Sequence, residues 1–100
     1  STCKTIQNKG ICTVNVTYYA PSGSPLLSSE VFLQLSGLNG YTSNITSQCA
    51  SGAGYFTTNS KACIITITDA TASVGTAQTA YLSPQGYSST NASFIVGGGI

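Results

Sequence analysis

Stretches in which apolar and polar side chains alternate are the feature of this chain that most constrains its fold. The clearest stretch, residues 11–19, places Cys12, Val14, Val16 and Tyr18 on one face and polar or tyrosine side chains on the other. Successive side chains of a β-strand point to opposite faces, so alternation with a period of two indicates a half-buried strand. This segment therefore predicts a strand with one face in a core.

Similar segments recur along the chain and are separated by runs rich in Gly, Pro and Ser, such as residues 20–25 and 36–40. Proline fixes φ and glycine adopts positive φ, so these runs indicate turns. No segment has the periodicity of a helix. The pattern predicts an all-β fold, an antiparallel β-sandwich of about seven strands. We expect strands at residues 11–19, 30–36, 41–46, 55–58, 63–68, 77–83 and 91–96, with a turn at residues 84–86.

The four cysteines, Cys3, Cys12, Cys49 and Cys63, are an even number in a short chain rich in Ser and Thr. That is typical of disulfides formed in an oxidising compartment. A zinc site is the alternative, but the chain has no His and no Cys-x-x-Cys pair. Of the three connectivities we prefer Cys3–Cys12 with Cys49–Cys63, because each pair brackets a Gly-containing segment that can reverse the chain. We therefore predict a disulfide-stapled, secreted protein.

The length of 100 residues fits one domain. We treat residues 1–100 as a single sandwich, with residues 1–10 as an N-terminal extension and residues 97–100 as a Gly-rich tail. The sequence contains neither a signal peptide nor an apolar run of about 18 residues, so we expect a mature extracellular product without a membrane span.

Charged residues make up only 5% of the chain, and the formal net charge is +1. Nucleic acids and anionic membranes bind clusters of Lys and Arg, so neither is expected as a partner. With 41% hydrophobic residues, solubility must come from uncharged polar side chains, from attached sugars, or from burial of the surface in an assembly.

Three Asn-x-Ser/Thr sequons begin at Asn15, Asn44 and Asn91. Such sequences are acceptors for N-linked glycans, although some arise by chance in a chain rich in Asn, Ser and Thr. The alternation pattern places all three asparagines on outward faces. We predict a glycoprotein with N-glycosylation at Asn15, Asn44 and Asn91.

The order of several short segments resembles the immunoglobulin-like domains of invasin and intimin type found in prokaryotic surface proteins. Residues 13–17, a Gly-Ser-Pro turn at 23–25 and residues 31–35 follow in the order of the first strands of those domains. Residues 75–82, Tyr87 and residues 94–96 are similar to their final two strands. The resemblance spans most of the chain and implies an Ig-like sandwich at a cell surface. By composition, the chain also resembles glycosylated subunits of pilus-like surface threads, some of which are joined by donation of a terminal strand.

Candidate catalytic residues are scarce. The chain has no His, so the commonest general base is absent, and its only carboxylates are Glu30 and Asp69. A glycosidase would need both carboxylates in one cleft; the competing interpretation is that each is solvated at a strand end. A Ser nucleophile would need one of three lysines as its base. We expect no enzymatic activity, no cofactor and no metal.

A self-catalysed Lys–Asn isopeptide bond is a further hypothesis, since such bonds in Ig-like pilin domains form beside an assisting carboxylate. Lys61 precedes the predicted strand that ends near Asp69. An ordinary solvent-exposed lysine is the competing interpretation.

Four large side chains fall on the outward faces of the predicted strands: Tyr19, Phe32, Ile64 and Tyr81. Several such residues on sheet exteriors suggest contact surfaces. Uncharged strands such as 63–68 also lack the Lys and Glu residues that discourage edge pairing. We therefore hypothesise a structural subunit of an extracellular or cell-surface assembly, a pilus or thread-like filament or an adhesin module, that self-associates into a homopolymer. Strand donation would use the segment before Cys12 or the last strand.

The alternative function is a monomeric secreted binding module, lectin-like or inhibitory. Exposed aromatic rings stack on sugars, so the tyrosines would then bind a glycan or another ligand on a host or cell surface. Saturable ligand binding by a monomer would distinguish this function from assembly.

Overall fold

A computed structural model describes residues 2–19, 31–52, 54, 58–72, 75–85 and 92–98. Within them the chain is all-β, with six strands where the sequence predicted about seven. The predicted piece at 55–58 lies, apart from Thr58, outside the described residues. A short 3-10 helix, Thr2–Thr5, precedes β1 (Ile11–Tyr19), β2 (Phe32–Ser36), β3 (Tyr41–Ile45), β4 (Ser60–Asp69), β5 (Gln78–Gln85) and β6 (Ala92–Val96).

The six strands form two antiparallel sheets. The first sheet has the order β1-β4-β3, and the second has the order β2-β5-β6. In the first sheet Asn15 lies opposite Ile64, and in the second Leu35 lies opposite Leu82. The arrangement confirms the predicted sandwich-like fold.

The core lies between the two sheets and follows the alternation of the central strands. Ile65 and Ile67 of β4 and Ala80 of β5 are fully buried, while Ile64 of β4 is exposed. Burying an isoleucine side chain stabilises the fold by about 1.5 to 3 kcal/mol. The other buried apolar residues are Cys3, Ile6, Cys12, Tyr18, Val31, Leu33, Cys49, Cys63, Leu82 and Val96.

Strand β5 runs through Pro84 to Gln85, where the sequence predicted a turn. Pro84 lies opposite Leu33 of β2, but the Leu33 N–H donates to the Cys49 carbonyl on the other side, at 2.7 Å. The pair is therefore a non-hydrogen-bonded one, and the Pro84 nitrogen points away from β2. On that side the described residues of β6 pair with β5 as far as Leu82, so within the described residues the missing N–H interrupts no ladder bond.

The N-terminal segment packs on the sandwich. Cys3 and Ile6 are buried, and the Gly97 N–H, just after β6, donates to the Cys3 carbonyl at 2.7 Å. Cys3 is also bonded to Cys12 in β1, with a Cα–Cα distance of 5.1 Å. Residues 3–6 are thus held to both sheets.

The second disulfide joins Cys49 to Cys63 of β4, with a Cα–Cα distance of 6.0 Å. Both disulfides have the pairing that the sequence analysis preferred. The segment around Cys49 covers the outer edge of β2, because the N–H groups of Val31 and Leu33 donate to the carbonyls of Gly54 and Cys49. The first part of that edge, residues 31–33, is therefore closed to further pairing.

Candidate assembly surfaces

The four outward residues predicted as an interface divide between opposite faces of the sandwich. Tyr19 (64% exposed) and Ile64 (45%) lie on the outer face of the first sheet, and Tyr81 (52%) lies on the outer face of the second. Phe32 shares that second face but is half-buried. The structure therefore supplies two separate outer faces, and the four residues do not form one surface.

Two further apolar residues are exposed that were not predicted as interface residues. Ile11 (66% exposed) lies on the face of Tyr19 and Ile64, and Ile95 (38%) lies opposite Thr79 on the face of Tyr81. The same alternation places both residues outward, so the signal was present in the sequence. Each outer face thus carries more apolar surface than predicted.

A cleft opens between the two sheets, on the side where β1 and β6 form their edges. Its volume is about 140 Å³, and residues from the inner faces of both sheets line it. Ala92 lies opposite Leu82 and thus faces inward, yet its side chain is exposed, and Val16 and Pro84 are only half-buried. The lining includes Val16, Tyr18, Leu33, Leu82, Pro84 and Ala92.

Strand β1 forms the edge of the first sheet beside this cleft. From Ile11 to Thr17 its backbone pairs with β4 alone, as far as the described residues go. The strand contains no charged residue and no proline, the features with which exposed edges usually discourage pairing. Its outer edge therefore presents backbone donors and acceptors next to an apolar cleft.

Two sequons are accessible. Asn15 on β1 and Asn44 on β3 are exposed on the outer face of the first sheet, as predicted, whereas Asn91 lies outside the described residues. Asn15 is opposite Ile64, and Asn44 is opposite Thr66, two residues further along β4. Glycans on these two asparagines would stand on the same face.

Asp69 is buried (2% exposed) at the end of β4, which corrects the interpretation that it is solvated there. Its Oδ2 accepts the Lys9 N–H at 2.8 Å, and its Oδ1 accepts the Ala72 N–H at 2.9 Å. The carboxylate thus joins the loop before β1 to the turn after β4. Glu30, the other carboxylate, lies outside the described residues.

Tyr41 lies opposite Asp69 on β3. Burial raises the pKa of its phenol above the usual 10.0, and the negative charge of Asp69 raises that pKa further. Its hydroxyl is buried and has no hydrogen-bond partner within the described part of the chain.

Lys61 is at the opposite end of β4 from Asp69, about 27 Å away at the rise of a strand. Its Nζ donates to the carbonyls of Gly54, at 3.4 Å, and Val31, at 3.5 Å. Asp69 therefore does not assist an isopeptide bond at Lys61. The described residues also hold no cluster of three or more His, Cys, Asp or Glu suited to a metal.

No helix in the described ranges has the length and apolar character needed to cross a bilayer. Comparison with known proteins gives no match to a family model, to a curated protein or to a solved structure.

Proposed function

We propose that this protein is a structural subunit of an extracellular assembly, in which copies of the chain join through the β1 edge and the adjoining cleft. The observation that carries the proposal is the exposure of Ala92, an inner-facing residue, beside an edge strand that lacks charge. Apolar inner surface left open at a sheet edge is what an added strand covers.

The composition supports burial of this surface in an assembly. Only 5% of the residues are charged, and exposed apolar residues lie on both outer faces as well as in the cleft. Large uncharged surfaces on a monomer favour aggregation, whereas a regular assembly buries them in defined contacts. A second copy of the same chain is the partner that this surface fits, because neither side requires a complementary charge.

The N-terminal segment is a poor donor of a strand. Cys3 is covalently bonded to Cys12, and Ile6 is buried in its own domain, so release of the segment would expose core surface. The C-terminal strand β6 is the better candidate because neither disulfide ties it to its own domain, although its release would also expose a buried residue, Val96. Among the described residues β6 pairs with β5 over five positions, and it lies at the edge of the second sheet. Donation of β6 to a neighbour, without a reciprocal swap, would add it beside that neighbour's β1 edge.

Extracellular localisation and N-glycosylation belong to the same proposal. Two disulfides and no free cysteine among the described residues are typical of an oxidising environment. Exposed sequons on the outer face of the first sheet leave the cleft accessible for assembly. Sugars on that face would keep the assembled surface soluble.

Electron microscopy of native, undenatured protein tests the proposal, with light scattering on the same sample. The informative variant is Ala92→Asp, which places a charge in the cleft at an exposed position and leaves the core intact. Its control is Thr42→Asp, the same charge at an exposed position on β3. We expect wild type and Thr42→Asp to form regular filaments and Ala92→Asp to remain a monomer.

A wild-type protein that stays monomeric, at 10.2 kDa plus its glycans, would contradict the proposal. Saturable binding of a soluble glycan by that monomer would favour the lectin-like alternative. Filaments of Ala92→Asp would show that copies join somewhere other than the cleft.

A further inference from the structure

A second groove runs along β4 on the outer face of the first sheet, away from the cleft. Its floor is apolar and consists of Ala62 and Ile64. Asn15 and Thr17 of β1 lie opposite these two residues and form one wall. Thr46 and Gln48, just beyond β3, form the other wall. The volume is about 320 Å³, at the lower end of pockets that hold small molecules.

The second wall is anchored to the backbone of β4. The Thr46 Oγ1 accepts the Ile64 N–H at 3.1 Å, and the Gln48 Nε2 donates to the Ala62 carbonyl at 2.9 Å. The Thr46 hydroxyl can still donate, and the Gln48 Oε1 can still accept. The groove thus combines an apolar floor with fixed polar groups along its sides, about 10 Å apart across two strand spacings.

We propose that the sugar attached to Asn15 binds in this groove, an inference that rests on the proposed glycosylation. A pyranose ring has an apolar face of C–H groups and a rim of hydroxyls. In this groove the C–H face covers Ile64, which is otherwise 45% exposed, and the hydroxyls reach Thr17, Thr46 and Gln48. The sugar does not have to bind from solution, because it is covalently attached to Asn15, and Asn15 itself forms part of the wall of the groove.

The Asn15 Nδ2 forms a bond to the anomeric carbon of a polyprenyl-phosphate-linked oligosaccharide. The bond from that carbon to the phosphate oxygen breaks, the lipid phosphate leaves, and one proton is lost from Nδ2. Asn44 does not line the groove, so a glycan on Asn44 would not occupy it.

A double-mutant cycle on the native glycoprotein tests whether the sugar binds in the groove. Mass spectrometry of the glycopeptide first establishes whether Asn15 carries sugar. We expect Asn15→Gln to lower the Tm by on the order of 5 °C in the wild-type background. In the Ile64→Thr background the same change should shift the Tm by about a fifth as much, since the sugar has lost its apolar floor.

Ile95→Thr is the matched control background, because Ile95 is an exposed strand isoleucine on the opposite face. The full effect of Asn15→Gln should persist there. Threonine is β-branched, so both replacements suit a strand. Nuclear Overhauser contacts between the Ile64 methyl protons and the sugar protons provide a second measurement that needs no variant, and Ile95 should show none.

Any of three results would overturn the proposal that the sugar binds in the groove. These are an unmodified Asn15, an equal effect of Asn15→Gln in the Ile64→Thr background, and a lack of Ile64–sugar contacts. These outcomes are separate from assembly. Filaments with no Ile64–sugar contact would refute the binding of the sugar in the groove alone. Ile64–sugar contacts in a chain that never assembles would refute the proposed assembly alone.

Discussion

Replacement of Asp69 by asparagine tests the most consequential polar contact of the fold. The carboxylate accepts one backbone N–H from the loop before β1 and one from the turn after β4. The Asp69 N–H in turn donates to the Gly10 carbonyl at 2.9 Å. Asparagine has the same shape but only one acceptor oxygen, so its NH₂ group would face one of the two part-buried backbone N–H groups.

These contacts determine how much free energy of unfolding Asp69→Asn should lose. A hydrogen bond to a charged group contributes about 1.5 to 3 kcal/mol, and a stranded buried donor costs about 1 to 3 kcal/mol. We therefore expect Asp69→Asn to lower the free energy of unfolding by about 3 kcal/mol. For a domain of this size that corresponds to roughly 10 to 25 °C in Tm.

Urea unfolding of the oxidised protein, followed by far-ultraviolet circular dichroism, measures this loss. Gln78→Glu is the matched control. The Gln78 side chain accepts the Asn39 N–H and donates to the Asn39 carbonyl, but this pair is solvent-exposed. Losing its donor should cost less than about 0.5 kcal/mol. If Asp69→Asn cost no more than Gln78→Glu, the claim that the buried carboxylate joins the two loops would be refuted.

Two further predictions concern Gly37 and Tyr41. Gly37→Ala should destabilise the fold by about 2 kcal/mol more than Gly52→Ala. Both glycines have φ near +90°, but a Cβ at Gly37 would lie 2.5 Å from the Thr79 carbonyl oxygen, whereas Gly52 faces open space; equal unfolding midpoints would contradict this. Tyr41→Phe should stabilise the fold by about 1 kcal/mol at pH 7, because it removes a buried hydroxyl that lacks a partner in the described structure. Above the usual pKa of 10.0 the unfolded chain releases the phenol proton before the folded chain does, so stability falls as pH rises. Tyr41→Phe should remove that part of the fall, and unfolding midpoints from about pH 9 to about pH 11 would show whether it does.

The sequence predicted the strands best where a single signal dominated. Strand β1 has the predicted bounds, because its alternation is uninterrupted and turn residues follow it. Strand β5 extends further than predicted, since the usual meaning of proline as a turn signal ignores which way its nitrogen points. That direction depends on the pairing with β2, which local sequence does not encode.

The functional features were harder to predict because they depend on contacts distant in sequence. Asp69 is buried by a loop 60 positions away, so its strand-end position alone suggested solvent. The cleft lies beside Ala92, where the described part of β6 begins, and alternation alone would place that residue in a closed core. The outward direction of Asn15 was predictable, but the groove beside it requires the register of β1 and β4.

The two disulfides each join cysteines that are neighbours in the order of cysteines along the chain, 9 and 14 positions apart. A polypeptide that enters an oxidising compartment N-terminus first exposes Cys3 and Cys12 well before Cys49 or Cys63. Oxidation in order of emergence therefore gives the native pairing directly. A chain exported in this way can complete its covalent structure without thiol–disulfide reshuffling.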